Sequence, residues 1–141
     1  VFTEDGFTFE EHKMMDETKK IMSLPNLAIA ATCVRVPVVT GHSESVYVEV
    51  DQENVSIDQL KQLLANSEGI TLQDAPDQQF YPMPYYADGK DDVFVGRLRK
   101  DPSNDKGFHM WIVSDNLLKG AALNSIQIAE ALIAEGILKE V

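Results

Sequence analysis

Two β-type runs, Val93–Arg99 and Phe108–Val113, flank a polar turn, Lys100–Gly107, and this spacing frames the whole chain. Runs rich in Val, Phe, Ile and Trp on either side of a short polar segment close as a hairpin. At least part of the sheet is therefore antiparallel. Three further β-type runs precede the hairpin. Ala28–Val38 is an uninterrupted apolar stretch that ends at Pro37 and a turn around Gly41. One face carries Ala28, Ala30, Thr32, Val34 and Val36; the other carries Ile29, Ala31, Cys33 and, anomalously, Arg35. His42–Val50 sets Val46, Val48 and Val50 against Ser45, Tyr47 and Glu49, the period-two alternation of a strand. Ile70–Leu72 is a short third run.

Helices separate these runs. Thr8 with Glu11 three residues on, and Ser56 with Gln59, each have the spacing of a capping box. The first helix carries Met14, Met15, Ile21 and Met22 and stops at Leu24-Pro25-Asn26; the second buries Ile57, Leu60, Leu63 and Leu64, with Val55 and Leu60 placed as a hydrophobic staple. A last helix begins after Ser114 or Asp115 and runs to about Ala134, with Gly136 as its C-cap. Its stripe is Leu118, Ala122, Ile126, Ala129, Leu132 and Ile133. The predicted order is α-β-β-α-β-β-β-α over a single domain, residues 1–141. That is an α+β fold with one mixed, largely antiparallel sheet covered by helices. Asp74–Asp92, with Pro76, Pro82, Pro84 and Gly89, reads as a long extended loop. Loops of that length are uncommon unless they are functional or docked on a partner.

Composition excludes several classes. With 12 Lys and Arg against 23 Asp and Glu, the net charge is −11, and no basic stripe is available to neutralise nucleic-acid phosphates. Neither a bilayer-crossing apolar run nor a signal-peptide pattern is present, so no membrane partner is expected. A single cysteine, Cys33, cannot form an internal disulfide, which fits a reducing cytoplasm. The chain starts at Val1 without Met, and is expected to be processed or a piece of something longer.

Three constellations could carry chemistry. In Arg35-Val36-Pro37-Val38-Val39-Thr40-Gly41-His42, a strand-borne guanidinium offers a bidentate clamp for a carboxylate or phosphate. A histidine at a strand terminus suits a general base. Arg35 could equally pair with a structural acid, and His42 could be a simple turn residue. Glu10 and Lys13 share one helix face near its N-terminus, fit either for a zwitterion or for a solvated surface pair. Gly120, Ala121 and Ala122 with Asn124 allow close approach of a ring or backbone and a hydrogen bond to an amide, or serve helix–sheet packing. Cys33 reads as an inert buried thiol, and His109 as sheet packing. Arg97 and Arg99 share a strand face and suggest a charged edge or a subunit contact. His12, His42 and His109 have no ligand spacing, so no metal site is proposed.

Taken together, Ala31–Val38 with Gly41-His42-Ser43-Glu44-Ser45-Val46, and Asp115-Asn116 through Lys119-Gly120-Ala121-Ala122 to Asn124, resemble aspartate-semialdehyde dehydrogenases of the Gram-positive bacterial type. Glu10-x-x-Lys13 lies 25 residues before Arg35, as in that family. The resemblance spans essentially the whole chain but only the C-terminal part of the enzyme. It implies the C-terminal domain of the glyceraldehyde-3-phosphate-dehydrogenase-like fold. It also implies NADPH-dependent reductive dephosphorylation of L-aspartyl 4-phosphate to L-aspartate 4-semialdehyde through a cysteine thioester, in lysine, threonine and methionine biosynthesis and the diaminopimelate branch. By the same resemblance His42 is the acid/base, Arg35 binds the substrate α-carboxylate, Glu10 its ammonium, and Lys13 the phosphate. Asn124, Gly120 and Ala121 lie on the nicotinamide side.

The family's Asn-Cys-Ser/Thr nucleophile and its glycine-rich phosphate loop do not occur in this sequence. NADP is then bound mainly by an N-terminal domain outside the chain, toward which the last helix, 115–136, faces. The chain alone is expected to be inactive, and a homodimer through the sheet is implied. The competing expectation is a free-standing acidic α+β ligand-binding or dimerisation module without catalysis.

Overall fold

Both helix starts read from the sequence carry a complete capping box. Thr8 Oγ1 accepts the Glu11 N–H at 3.2 Å while the Glu11 carboxylate accepts the Thr8 N–H, opening α1 (Phe9–Ile21). Ser56 and Gln59 exchange the same pair of bonds ahead of α2 (Ile57–Ala65). The structure, a computed structural model, describes residues 1–138. They fall into two compact units, Val1–Pro37 and the described residues from Val38 onward.

The first unit is α1 followed by an extended segment. Here the structure corrects the sequence reading: Ala28–Val38 forms no strand. A strand exists only where a neighbour offers alternating N–H and C=O groups, and the first unit holds no other strand. The Cys33 N–H instead donates to the Glu11 carboxylate at 2.7 Å. Cys33 is half-buried, with its sulfur 3.4 Å from the Met14 sulfur.

The second unit is built on a sheet of β1 (His42–Glu49), β2 (Ile70–Leu72), β3 (Val93–Lys100) and β4 (Gly107–Ser114). Their order is β1-β4-β3-β2; β1/β4 and β4/β3 are antiparallel and β2/β3 is parallel. The α+β, mixed and largely antiparallel reading is borne out, with one strand fewer. Phe94, Val113 and Ala87 are buried together against Trp111. Between β2 and β3, the expected loop holds a 3-10 turn (Pro76–Gln78) and the one-turn helix α3 (Pro84–Ala87).

The hairpin is interrupted by a bulge between Gly96 and Arg99, where Arg97 has φ 55°. A Cβ on Gly96 would lie 2.1 Å from the Gln73 carbonyl oxygen and 2.6 Å from Pro82 Cδ, so the loop crosses the sheet where only glycine fits. After β4 the chain makes a π turn (Leu118–Ala122) and continues as α4 (Leu123–Ala134). No helix among the described residues is long and apolar enough to cross a membrane.

Candidate active site

His42 is the first residue of β1 and is exposed to solvent. Its backbone is fixed by what precedes it. Gly41 has φ +91°, a left-handed conformation natural to glycine. A Cβ there would lie 3.3 Å from the Ser114 carbonyl oxygen and 3.4 Å from Pro84 Cβ. The Gly41 N–H donates to Asn116 Oδ1 at 2.7 Å, and Thr40 Oγ1 donates to Asp88 Oδ1 at 2.6 Å.

Asn116 is held in turn by its neighbour. The Asp115 residue is only 3% exposed, and its carboxylate accepts the N–H groups of Gly89 at 2.8 Å, Leu117 at 2.7 Å and Leu118 at 3.0 Å. Those bonds, the one from Gly89 foremost, hold its carboxyl below the ordinary carboxylate value. The turn ahead of His42 is thus pinned by Asp88 and Asn116, while the histidine itself faces outward.

Gly120 and Ala121 are exposed in the π turn, and Asn124 is exposed at the start of α4. Around Gly120 the nearest atoms to a built Cβ are the Asp115 carbonyl oxygen at 3.7 Å and Asn116 Cβ at 3.8 Å. Nothing crowds this surface.

The remaining candidates lie in the first unit. Lys13 Nζ is 3.2 Å from Glu10 Oε1 on the exposed face of α1. This hydrogen bond raises the lysine pKa, with the charge of Glu10 adding to it. Glu11, which the sequence marked only as a cap, is the better-held acid: bonds from the Cys33 and Thr8 N–H groups hold its carboxyl low. Arg35 sits in the extended segment, not on a strand, and is exposed. Its guanidinium makes no ion pair or hydrogen bond among the described residues. No group of three His, Cys, Asp or Glu among those residues is placed to hold a metal.

Sequence reasoning missed Asn116 and Asp115 as the residues that fix the turn. The available signal was an Asp-Asn pair directly after a strand, since both side chains readily bond nearby backbone N–H groups.

Comparison with known proteins bears on this geometry. The family described as "Semialdehyde dehydrogenase, dimerisation domain" matches residues 1–119. The chain belongs to this semialdehyde dehydrogenase family. Among curated relatives, the aspartate-semialdehyde dehydrogenase of Bacillus subtilis strain 168 is 62% identical over 131 residues, covering 93% of this chain and 38% of that protein. A solved structure of aspartate semialdehyde dehydrogenase II from Vibrio cholerae, complexed with ASA, superposes with a TM-score of 0.87 at 43% identity. It covers 95% of this chain and 39% of that one. The Candida albicans enzyme with NADP gives 0.77 at 31% identity, with 94% and 44% covered. The chain therefore spans about two fifths of the length of the relatives it matches. The semialdehyde dehydrogenase resemblance read from Arg35–His42 and Asp115–Asn124 is borne out.

Proposed function

We propose that this chain is the C-terminal catalytic and dimerisation portion of an aspartate-semialdehyde dehydrogenase, one domain over residues 1–141. The full-length protein reduces L-aspartyl 4-phosphate to L-aspartate 4-semialdehyde with release of phosphate. The observation that carries the reading is the pinned Thr40–Gly41 turn, which presents an exposed His42 from a rigid strand end. The 62% identity of a relative bearing that enzyme name supports it.

In this reading the nucleophilic cysteine is supplied from outside the chain, because Cys33 lies between Thr32 and Val34 and not in an Asn-Cys-Ser/Thr setting. His42 accepts the thiol proton as sulfur attacks the acyl phosphate and phosphate departs, and returns a proton to sulfur as the semialdehyde leaves. Arg35, with an unengaged guanidinium, is the fork for the substrate α-carboxylate. Glu10 takes the ammonium and Lys13 the phosphate.

The uncrowded surface at Gly120 and Ala121 fits a flat ring, with Asn124 to bond its amide. NADP, named in the Candida albicans structure, would in its reduced form, NADPH, supply the hydride when bound, with most of its contacts coming from the N-terminal domain. The exposed α4 residues Ile126 and Ile133, at 58% and 37% and seven apart on one helix face, provide an apolar face for that domain. A homodimer, a cytoplasmic location and a place in lysine, threonine, methionine and diaminopimelate biosynthesis follow from the same reading.

The test is direct. The full-length protein is assayed for NADP reduction with aspartate semialdehyde and inorganic phosphate. Turnover that requires both substrates is expected; its absence in a folded full-length protein overturns the proposal in favour of a non-catalytic module.

A further inference from the structure

The strap that carries the chain from β2 across the sheet to β3, residues 73–92, takes part near its end in a closed circuit of three dipeptides. Thr40-Gly41 precedes β1, Asp88-Gly89 follows α3, and Asp115-Asn116 follows β4. Three hydrogen bonds join them. Thr40 Oγ1 donates to Asp88 Oδ1 at 2.6 Å, the Gly89 N–H to Asp115 Oδ2 at 2.8 Å, and the Gly41 N–H to Asn116 Oδ1 at 2.7 Å. The two residues of each pair share a peptide bond, so no pair can shift without disturbing its bonds to both of the others.

The same circuit reaches a second turn. Asp115 Oδ1 accepts the N–H groups of Leu117 at 2.7 Å and Leu118 at 3.0 Å, and the Asp115 carbonyl accepts the Gly120 N–H at 3.1 Å. The Ala122 N–H repeats that five-residue step on the Leu117 carbonyl at 3.1 Å, a π pattern that is rare and concentrated at functional sites. Both carboxylate oxygens of Asp115 are therefore committed, one to the strap and one to the π turn. The residue is 3% exposed, so a bond lost there is not made good by water. Asparagine could serve only one side, because its NH2 would face an N–H donor on the other.

We propose that Asp115 is a positioning residue, holding the turn ahead of His42 and the π turn of Gly120 and Ala121 in one fixed relation. The inference rests on the dehydrogenase reading above and adds to it a residue that touches neither substrate nor cofactor. In the assayed direction the aldehyde, bound as its thiol adduct, loses a hydride from carbon to NADP and a proton from oxygen to His42, leaving the thioester. Both leave one carbon–oxygen unit. The base and the surface that seats the nicotinamide must therefore be correctly placed relative to each other as well as to the substrate.

The full-length protein tests this with Asp115→Asn and with the milder Thr40→Val, which opens the circuit at its exposed bond. Rates with aspartate semialdehyde, phosphate and NADP are expressed per folded molecule, the folded fraction being taken from near-ultraviolet circular dichroism. Asp115→Asn is expected to lower kcat by about 10²-fold and Thr40→Val by less, with KM for each substrate little changed. A merely structural role would lower the folded fraction and leave kcat per folded molecule intact. Parental kcat in folded Asp115→Asn overturns the positioning role; should that variant not fold, Thr40→Val decides on the same terms. Amide hydrogen exchange, without substrate or NADP, is the second readout. Protection is expected to fall at N–H groups that the altered side chain does not bond, Gly41 in Asp115→Asn and Leu117 in Thr40→Val. Parental protection at either overturns the coupling. An unaltered full-length protein without turnover overturns the dehydrogenase reading instead, and the exchange result still decides whether the circuit moves as one piece.

Discussion

The side-chain oxygen of Asn116 lies 2.7 Å from the Gly41 nitrogen, one residue ahead of His42. A side chain from beyond the end of β4 thereby fixes the backbone from which the proposed acid/base projects. Replacing it with leucine leaves the Gly41 N–H without its acceptor. In the full-length protein Asn116→Leu is expected to cost about 1–3 kcal/mol of stability and to lower kcat more than it raises KM for aspartate semialdehyde. Asn116→Asp keeps an acceptor at the same reach and is expected to restore most of both. Thermal unfolding and steady-state kinetics on the pair decide it, and an aspartate variant as damaged as the leucine one counts against the bond.

His42 and Arg35 are predicted to fail in different ways. His42→Ala removes a general base, so kcat falls by ~10²–10⁴-fold while substrate binding is largely kept. Arg35→Lys substitutes a point charge for a planar fork, so KM rises with a smaller change in kcat. Near-normal turnover in His42→Ala would show that the proton is carried elsewhere.

Gly96→Ala is expected to destabilise by ~1–3 kcal/mol or more, because the added methyl would meet the Gln73 carbonyl oxygen at 2.1 Å. Gly120→Ala meets nothing closer than 3.7 Å and is expected to leave stability within about 0.5 kcal/mol of the parent. Urea unfolding of the two variants side by side measures the contrast.

Asp115 gives a pH signature. Its carboxyl is held below its ordinary value of 3.8 by the N–H groups that bond it, so the folded state favours the ionised form. The resulting stabilisation is complete above that value and is lost as pH falls through the lower folded-state value. Asp115→Asn should therefore be less stable at neutral pH, and the gap to the parent should narrow as acid is added below about pH 4. A gap that stays constant down to acid pH would show that the charge contributes nothing.

Local chemistry made much of this fold readable. Thr8 with Glu11 and Ser56 with Gln59 are self-contained instructions, and both boxes formed. The hairpin was equally plain, since its two runs and its turn lie next to each other in sequence. Ala28–Val38 was misread because a strand is a property of two segments, and composition describes only one. The bulge puts its left-handed residue at Arg97 and not at the neighbouring Gly96, where a glycine would have announced it. Of the candidate site, the isolated chemistry of His42 and of Glu10 with Lys13 was visible. The Asn116–Gly41 bond was not, because it joins residues 75 apart.

The absence of a side chain at Gly96 also sets an order of assembly. The β3–β4 hairpin closes across a short turn and can form early, as contacts near in sequence do. Strand β2 can join β3 only after residues 73–92 have looped over the bare backbone at Gly96, a longer closure made against a sheet already present. The tyrosine-bearing strap then sets after the hairpin, and its aromatic side chains face solvent until it does. Mutations that slow this closure should reveal themselves first as aggregation of newly made protein, before any loss of stability in molecules that have finished folding.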